Sequence, residues 1–360
     1  MADTINSKAA SVRFEQVSKR YGTDVLAVDN ISLTIEPSTL VTLLGPSGCG
    51  KTTTLRMIAG LEIATAGRIL IGDTDVTTLP ATDRDVSMVF QSYALFPHMS
   101  VMENVSYGLN YSGYNKVETR ERAMAGLELV GLGAFEKRLP SELSGGQQQR
   151  VAVARALVLE PQVLLFDEPL SNLDAKLRRQ VREDIRDIQQ NLGLTVVYVT
   201  HDQEEALAVS DRIIVMRNAA IAQEGTPREL FEAPADAFVA DFIGEANLIP
   251  CEIDTVDGDT AHIRIGDHSH RLPARGLGPG PATVAVRPER VQLVEASTPD
   301  LVSARIAKAT YVGSHMEYTV DTPVGTLFAT SPDVDQPFTV GQDLALSFAG
   351  SGPVLLPSQP

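Results

Sequence analysis

The fold is decided by the stretch Leu40–Thr52, LVTLLGPSGCGKT, in which an apolar run leads into a glycine-rich loop. The run Leu40–Leu44 predicts a buried strand, and Thr52–Ala59 predicts a helix. We call Gly45–Thr52 the phosphate loop, because it has the form G-x-x-x-x-G-K-[ST] in the strand–loop–helix context that this motif requires. Its N–H groups and the helix N-terminus are suited to phosphate oxygens. The stretch therefore predicts a nucleotide-binding α/β fold.

A pair of acids follows a second apolar run. Val163–Phe166 is continuously apolar, as expected of a strand buried on both faces, and Asp167 and Glu168 come directly after it. Alone, the pair could be two solvated acids, but beside a phosphate loop it predicts catalysis. We expect Lys51 to contact the β- and γ-phosphates, and Thr52 and Asp167 to hold Mg²⁺. Glu168 is expected to act as general base on the attacking water.

A second anion-binding segment lies between these two elements. We call Leu143–Gln147, which reads LSGGQ, the signature run. Ser144–Gly146 offers a hydroxyl and bare N–H groups, and Gln147–Val158 has the composition of a helix, so the run predicts an anion site at a helix N-terminus. One nucleotide does not need two such sites in one fold. The run is therefore expected to cap the ATP held by another copy of the chain.

In this order, the motifs resemble those of the ATP-binding subunits of ABC transporters, from about Val12 to Asn247. The resemblance implies head-to-tail dimers with ATP and Mg²⁺ between phosphate loop and signature run. It assigns catalysis to Glu168, His201 and Gln91, and metal binding to Thr52, Gln91 and Asp167. The residues that it assigns to nucleotide binding are Tyr21, Gly45, Pro46, Ser47, Gly48, Cys49, Gly50, Lys51, Thr52, Thr53, Ser144, Gly145, Gly146, Gln147 and Asp174.

Several of these residues have plainer alternatives. Tyr21, matched to the aromatic that stacks on adenine, could be a surface residue, and Gln91 alone would be an ordinary polar residue. His201 could be structural, although it follows a predicted strand. Asp174 ends the loop Ser171–Asp174 that the family places across the dimer interface, and it could also cap the following helix. Next to His201, Asp202 and Glu205 have the spacing of a capping box.

Composition limits the classes of function. The chain has 360 residues, enough for two domains, with a net charge of −16. The sequence pI of about 4.8 argues against direct nucleic-acid binding. We expect no signal peptide, and no run approaches the length of a membrane helix. Two cysteines do not suggest a disulfide framework, and Cys49 is expected to be a small filler rather than a redox switch.

A docking surface is expected between Gln91 and the signature run. Tyr93–Val101 is apolar and loop-like, and the helical segments Met102–Leu109 and Val117–Val130 follow it. In the family, this helical subdomain binds a coupling helix of the membrane subunit. Phe96 is the candidate anchor, because aromatic side chains dominate such contacts. The alternative, that Phe96 belongs to the core, is left open.

The texture of the sequence changes after Asn247. Short alternating runs such as Ala261–Ile265 and Met316–Val320, separated by Gly and Pro turns, predict a small β-barrel. This part resembles the OB-like (TOBE) barrel of one class of importer ATPases. The predicted domains are a flexible N-terminus (1–11), an α/β P-loop ATPase domain (12–243, with the helical subdomain at about 92–158) and the all-β barrel (244–360). In it, His268 and His270 are a weak metal signal, and a solvated turn is favoured.

Three classes of function remain. The favoured one is the ATPase subunit of a solute importer, peripheral at the cytoplasmic face of the membrane. Its expected partners are a second ATPase subunit, the permease subunits and, indirectly, a solute-binding protein, without nucleic acid. A soluble ATPase of the same superfamily is the alternative, but the chain has one signature run and no sustained heptads. A non-enzymatic regulator is disfavoured by Glu168 and His201, and an exporter by the missing membrane helices. The resemblance favours ferric iron, polyamines or phosphonates over sugars as cargo.

Overall fold

The computed structural model describes residues 8–295, 301–348 and 352–358. The chain divides into two compact units, the first ending at Pro227 and the second beginning at Arg228. Of the predicted flexible N-terminus, residues 1–7 lie outside the described residues. Ala10, which is described, donates its N–H to the carbonyl of Gln162 (3.2 Å). The unit that ends at Pro227 is called the ATPase unit below, and the other the barrel unit.

The ATPase unit contains two sheets. The smaller is antiparallel, with the order β2-β1-β4-β5. Its strands are β1 (Val12–Tyr21), β2 (Val25–Ile35), β4 (Ala66–Ile71) and β5 (Thr74–Asp75). The larger has six strands in the order β10-β9-β3-β8-β7-β6, and all neighbours except β9 and β10 are parallel. Its strands are β3 (Leu40–Leu44), β6 (Val86–Val89), β7 (Val163–Asp167), β8 (Val196–Thr200), β9 (Arg212–Arg217) and β10 (Ala220–Gly225).

The parallel strands are apolar because both of their faces are covered. Every residue of β3 and of β8 is buried. One hydrophobic cluster packs α1 and the antiparallel sheet against one set of strand side chains, and another packs the remaining helices against the other set. This two-sided burial is what a continuous apolar run predicts. The helices of this unit are α1 (Lys51–Ala59), α2 (Val101–Ser106), α3 (Lys116–Leu129), α4 (Gly145–Leu157), α5 (Ala175–Leu192) and α6 (Gln203–Val209).

A helical subdomain lies between β6 and β7. Helices α2 and α3 each begin with a complete capping box, formed by Ser100 with Glu103 and by Asn115 with Glu118. They pack on α4 through buried apolar residues of one common cluster. Ala123, which lies on α3, is fully buried in this cluster. Short 3₁₀ helices connect the elements of this unit at Ala81–Asp83, Leu109–Tyr111, Gly133–Phe135 and Pro140–Glu142.

The barrel unit begins with two short helices and continues as antiparallel strands. The helices are α7 (Pro227–Glu232) and α8 (Ala237–Phe242). Two five-stranded sheets have the orders β13-β12-β11-β14-β20 and β15-β19-β16-β17-β18, and they share one apolar core. The strands are β11 (Asn247–Asp257), β12 (Thr260–Ile265), β13 (His268–Pro273), β14 (Gly280–Val286), β15 (Val291–Glu295), β16 (Val302–Tyr311), β17 (Met316–Thr322), β18 (Gly325–Ser331), β19 (Asp343–Phe348) and β20 (Val354–Pro357); a 3₁₀ helix spans Pro288–Arg290.

The favoured interpretation of His268 and His270 as a solvated turn is wrong, because both lie in strand β13. Their two imidazoles are half-buried on one face of the strand, since alternate residues of a strand point the same way. In the described part of the chain, no group of three or more His, Cys, Asp or Glu side chains is placed to hold a metal ion. No helix there is long and apolar enough to cross a membrane.

Candidate functional site

The candidate site is built at one edge of the six-stranded sheet. Strands β3, β8, β7 and β6 are neighbours and run parallel, so their carboxyl ends lie side by side. The phosphate loop follows β3, His201 follows β8, Glu168 follows β7 and Gln91 follows β6. Four segments that are far apart in the sequence are thereby brought to the edge where ligands bind in open α/β sheets.

The phosphate loop is wrapped around its own lysine. Lys51 is only 5% exposed, and its Nζ donates to the carbonyls of Gly45 (2.7 Å) and Pro46 (3.0 Å). Gly50 precedes α1 with φ 108°, and a Cβ at this position would lie 2.4 Å from the carbonyl oxygen of Ala27. Only glycine fits there, because both the backbone conformation and the space exclude a side chain. The curled backbone leaves the first N–H groups of α1 free of intrahelical partners, as an anion site requires.

Cys49 lies inside this loop as a buried free thiol. Its Sγ lies 3.9 Å from the Nζ of Lys51. Burial raises the pKa of the thiol, and the nearby Lys51 charge only partly opposes this. The thiol is therefore protonated at neutral pH and is a poor nucleophile, which agrees with its predicted role as a small filler.

Two of the three predicted metal ligands meet at this edge, Thr52 on helix α1 and Asp167 at the end of β7. The Thr52 hydroxyl lies 3.5 Å from Oδ1 of Asp167. Burial raises the pKa of Asp167; Arg56 lowers it, and the neighbouring Glu168 raises it further. A hydroxyl and a carboxylate are the hard oxygen ligands that Mg²⁺ prefers, and a cation there would stabilise the buried negative charge. The residues present therefore fit a magnesium ion.

Glu168 and His201 form a side-chain pair across β7 and β8. Oε2 of Glu168 lies 3.1 Å from Nδ1 of His201. Glu168 has a left-handed backbone with φ 46°, and its N–H donates to the carbonyl of Val199 (3.0 Å). A left-handed conformation of a non-glycine residue costs about 1–3 kcal/mol, and such residues concentrate at functional sites. The strained position places the carboxylate between two strand ends, where a general base for water would be needed.

Gln91 is joined to the loop that the family places across the dimer interface. Its Nε2 donates to Oγ of Ser171 (3.1 Å), and Asn172 donates back to the Gln91 carbonyl (3.0 Å). The Ser171 hydroxyl also donates to the backbone carbonyl of Glu168 (3.0 Å). Three of the predicted site segments are thus connected by hydrogen bonds. A shift of Gln91 would therefore be transmitted to the loop Ser171–Asp174 and to the Glu168 backbone.

The segment after His201 departs from the predicted capping box. Asp202 does cap α6 by accepting from the N–H of Glu205 (3.1 Å). The Glu205 side chain turns inward instead, where it accepts from Tyr198 (3.2 Å) and Thr200 (2.8 Å). Burial raises the pKa of this carboxyl. Glu205 therefore braces the end of β8 that carries His201, a role that its spacing in the sequence did not indicate.

Arg178 on α5 is a functional candidate that the sequence pattern missed. It donates to the carbonyl of Leu173 (3.2 Å) and pairs with Asp202 (3.3 Å), while its Nε lies 3.7 Å from Glu205. It therefore ties the loop that ends at Asp174 to the segment after His201. Two of its partners, Asp202 and Glu205, lie beyond strand β8, so no local pattern in the sequence reveals them.

The signature run begins helix α4, and Ser144 is its N-cap residue. Ser144 caps α4 in a complete capping box with Gln147. A Cβ at Gly146 would lie 2.6 Å from Cδ1 of Leu177, so this glycine permits α4 to pack closely on α5. Asp174 caps α5 by accepting from the N–H of Leu177 (2.9 Å), as its plainer role predicts. Within the described residues, no hydrogen bond joins the signature run to the phosphate loop.

Tyr21 lies at the end of β1. Its ring is 39% exposed, and Nζ of Lys19 lies 4.8 Å from the ring centroid. An exposed ring is available for stacking on a base. No hydrogen bond of the described residues connects Tyr21 to the phosphate loop, so its assignment to adenine stays a prediction.

The predicted docking surface contains an open groove of about 450 Å³. The Phe96 ring is half-buried there and lies 4.6 Å from the Tyr107 ring, between centroids. Asn104 holds the backbone of Phe96 by accepting from its N–H (2.8 Å) and donating to its carbonyl (3.1 Å). Phe96 is therefore neither a core residue nor fully exposed. The apolar residues that line the groove include Val86, Met88, Phe90, Phe96, Tyr107 and Leu159.

Comparisons with known proteins agree with this architecture. Residues 28–171 match the family model described as ABC transporter, and residues 284–356 match the TOBE domain. A Fe(3+) ions import ATP-binding protein of Brucella abortus (strain 2308) is 60% identical over 345 residues, 96% of this chain and 97% of that protein. One of Rhizobium meliloti (strain 1021) is 61% identical over 346 residues, 96% of this chain and 98% of that protein.

Two solved structures resemble the ATPase unit. A subunit of the ABC transporter complex cbiONQ from Clostridium perfringens gives a TM-score of 0.57 at 28% identity, over 61% of this chain and 89% of that one. A bacterial ABC transporter cassette solved as a dimer gives a TM-score of 0.54 at 32% identity, over 60% of this chain and 99% of that one. The predicted fold class, a P-loop ATPase domain followed by an OB-like barrel, is confirmed.

Proposed function

The chain belongs to the ATP-binding proteins of ABC transporters, and we propose that its ATP hydrolysis energises the import of ferric iron. It is the ATPase subunit of an importer, and the curated relatives give no support to the alternative of a soluble ATPase. The ferric cargo is supported by relatives that are named for Fe(3+) import and cover nearly the whole chain. The sequence also favoured polyamines and phosphonates as cargo, so a transport assay has to distinguish ferric iron from these two classes of solute.

One observation carries the catalytic part of the proposal. The carboxyl ends of four adjacent parallel strands present a phosphate loop, an acid–imidazole pair and a glutamine at one edge of the sheet. These are the groups that ATP hydrolysis requires: a phosphate cradle, a base for water and polar groups that orient it. Bound through Thr52 and Asp167, Mg²⁺ would neutralise charge on the β- and γ-phosphates.

The residues then divide the work as follows. The phosphate loop holds the β-phosphate through its backbone N–H groups, and Lys51 exchanges its two carbonyl contacts for phosphate oxygens. Glu168 accepts a proton as water attacks the γ-phosphorus, and the bond from that phosphorus to the leaving ADP oxygen breaks. His201 and Gln91 orient the water and the γ-phosphate. The products are ADP and inorganic phosphate.

The remaining motif residues are proposed to act across a dimer. In the described residues, the signature run forms no hydrogen bond with the phosphate loop of its own chain, which supports the proposal that it closes the site of a second copy. Ser144 and Gly146 would then supply donors to the γ-phosphate at the N-terminus of α4. Asp174 would lie at the same interface. ATP binding closes the dimer. Hydrolysis opens it again, because charge repulsion between the products releases the interface.

The importer also needs membrane partners. The groove beside Phe96 is the proposed seat of a permease helix, because it is apolar, open and adjacent to the Gln91 loop. We place the subunit at the cytoplasmic face of the membrane, where ATP is available. A solute-binding protein on the other side is proposed to deliver ferric iron to the permease and not to touch this chain.

The test of catalysis uses Glu168→Gln. Without the base, the variant should bind Mg-ATP but not hydrolyse it, and light scattering after size exclusion should show an ATP-dependent dimer that wild type forms only transiently. Glu204→Gln is the matched control, since Glu204 is an exposed acid on α6, and it should turn over like wild type. Wild-type turnover by Glu168→Gln would disprove the assigned role.

The test of cargo uses cells that lack the gene. Wild type should restore the uptake of radioactive ferric iron, and Glu168→Gln should not. Polyamine and phosphonate uptake should be the same with and without the gene. Restoration of one of those two fluxes, with ferric iron unchanged, would replace the cargo and keep the importer.

A further inference from the structure

Arg155 joins the helix of the signature run to the loop that follows Gln91. It lies on α4, the helix that Ser144 caps. Its Nη1 donates to the carbonyl of Ala94 (2.8 Å) and its Nη2 to the carbonyl of Tyr93 (2.9 Å). In the described residues it forms no ion pair with a carboxylate, and burial lowers the pKa of its guanidinium. The planar guanidinium is matched to two adjacent carbonyls, a geometry that an ammonium group cannot reproduce.

The two carbonyls belong to a strained turn. Tyr93 and Ala94 are consecutive left-handed residues, with φ 61° and 48°, and neither is glycine. A side chain with a Cβ disfavours this conformation, so the surrounding structure must hold it. The Tyr93 ring is buried, and its hydroxyl has no hydrogen-bond partner in the part of the chain that the structure describes. The turn therefore carries both backbone strain and an unsatisfied polar group, and the contacts with Arg155 oppose its release.

The same guanidinium also borders the docking groove. Its central carbon lies 5.9 Å from the centroid of the Phe96 ring, and Arg155 and Ala94 both line the groove. Phe96 in turn lies against Tyr107 of the helical subdomain. A helix seated in the groove would therefore touch the ring that lies beside Arg155. Three features converge on one side chain: the groove, the strained turn that continues from Gln91, and the helix that begins with the signature run.

We propose that Arg155 is the positioning residue that couples the docking groove to both halves of the ATP site. Through its two carbonyl contacts it fixes the turn after Gln91, and through α4 it fixes the signature run. A permease helix that enters the groove then moves Gln91 and Ser144 as one unit. This inference rests on the proposed function, since it assumes a permease in the groove and a signature run that acts on a second copy.

The test compares Arg155→Lys and Arg155→Met with wild type in the complex with the permease. Lysine keeps the charge and loses the paired geometry, and methionine loses both. We expect the ratio of permease-stimulated to basal ATP turnover to fall roughly fivefold in the lysine variant and more in the methionine variant, as lost charge-assisted hydrogen bonds imply. Arg122→Met is the matched control, because Arg122 is a half-buried arginine of the same subdomain that pairs with Glu160 (2.8 Å).

Hydrogen exchange supplies a second readout that does not depend on the permease. The N–H of Tyr93 donates to the carbonyl of Phe90 (2.9 Å), and that of Phe96 to Asn104 (2.8 Å), so both amides are protected. In Arg155→Lys these amides should exchange about tenfold faster, while amides of β3 and β8 keep their rates. Arg122→Met should not change exchange in the turn.

The possible results distinguish a failure of this inference from a failure of the proposed function. Equal losses of basal and stimulated turnover, with uniformly faster exchange, would show that Arg155 only stabilises the subdomain and would overturn the inference. Unchanged ratios and exchange in both Arg155 variants would overturn it too. If the permease fails to stimulate even the wild type, the proposed function is refuted instead. Faster exchange confined to the turn would then still support the contact on which the inference depends, and unchanged exchange would overturn it.

Discussion

The ATPase unit and the barrel unit bury their apolar side chains alike but differ in the polar groups that they bury. The ATPase unit encloses Lys51, Thr200 and Glu205, among many polar side chains, next to the loops of the candidate site. In the described residues of the barrel unit, Arg287 alone is both buried and polar or charged. Burying a polar group costs free energy unless it is paired, so a unit that buries many has a use for them.

This difference indicates where the chemistry lies. The Lys51 ammonium lies inside the phosphate loop, where it donates to the Gly45 carbonyl, and Thr200 and Glu205 brace the end of the strand that His201 follows. In the barrel unit, Arg287 donates to the carbonyls of Ala240 and Phe231, so its guanidinium secures α7 and α8 and not a substrate. The buried side chains of the barrel unit that the structure describes therefore serve its packing. We therefore expect substitutions in the two units to have different effects on ATP turnover and on stability.

The largest effect is expected from Lys51→Ala in the ATPase unit. Removing the charge from the phosphate loop should weaken ATP binding on the order of 100-fold and abolish measurable turnover, because a charge-assisted contact to phosphate is lost. Binding of a fluorescent ATP analogue and phosphate release would measure both. The exposed Lys137→Ala is the control and should behave as wild type. Normal ATP affinity in Lys51→Ala would contradict the assignment of phosphate binding to this residue of the ATPase unit.

A matched pair of core substitutions gives the next effect. Ile263 on β12 and Ile58 on α1 are both buried, with 1% and 0% exposure. Truncation of either to alanine should destabilise its own unit by about 2–5 kcal/mol. Urea unfolding followed by probes in each unit would measure this. ATP turnover of the isolated subunit at low temperature should survive Ile263→Ala, with its unfolding midpoint lowered in the barrel unit.

A loss of ATP turnover on substitution in the barrel unit would contradict this difference between the two units. If Ile263→Ala abolished turnover while the ATPase unit stayed folded, the barrel unit would contribute to catalysis and not only to packing. Ile58→Ala calibrates the assay, since loss of the ATPase unit must lower turnover at the denaturant concentration where that unit unfolds. Equal unfolding midpoints for both units in either variant would show that they unfold as one.

The sequence predicted best those features that depend on local pattern. The predominantly apolar run Leu40–Leu44 and the continuously apolar run Val163–Phe166 became buried parallel strands, because strands that are covered on both faces need no polar side. The alternation in Ala261–Ile265 likewise became strand β12. The order of the parallel strands determines which loops meet at the carboxyl edge of the sheet. The position of the candidate site at that edge therefore followed from the correct prediction of the strands.

The features that the sequence missed depend on contacts between distant segments. Arg155 bonds to the carbonyls of Ala94 and Tyr93, and every residue has a carbonyl, so nothing in the sequence marks these partners. Arg178 pairs with Asp202, which lies beyond strand β8. Gly146 was assigned to anion binding, but it also allows close packing on Leu177 from another helix. Glu205 had the spacing of a capping box and was drawn inward by the hydroxyl of Tyr198. Each case required the tertiary structure.

The smallest effect concerns Glu205 and the pH dependence of stability. Burial raises the pKa of this carboxyl above its ordinary value of 4.5, so between that value and the raised pKa the folded state binds more protons than the unfolded state. The contribution of Glu205 is thus fully present below about pH 4.5 and is lost as the pH rises through the folded pKa. Glu205→Gln cannot titrate, and its amide oxygen can still accept from Tyr198 and Thr200.

The free energy of unfolding should therefore fall less steeply with pH in Glu205→Gln than in wild type, from about pH 4.5 up to the raised pKa of the folded protein. Urea titrations of both proteins at several pH values measure the two slopes, and the difference isolates one carboxyl because all other groups are shared. The exposed Glu204→Gln should leave the wild-type slope unchanged. Parallel slopes for wild type and Glu205→Gln would mean that the Arg178 charge offsets the cost of burial. The ATPase unit would then hold this buried acid ionised, as a paired group, at neutral pH.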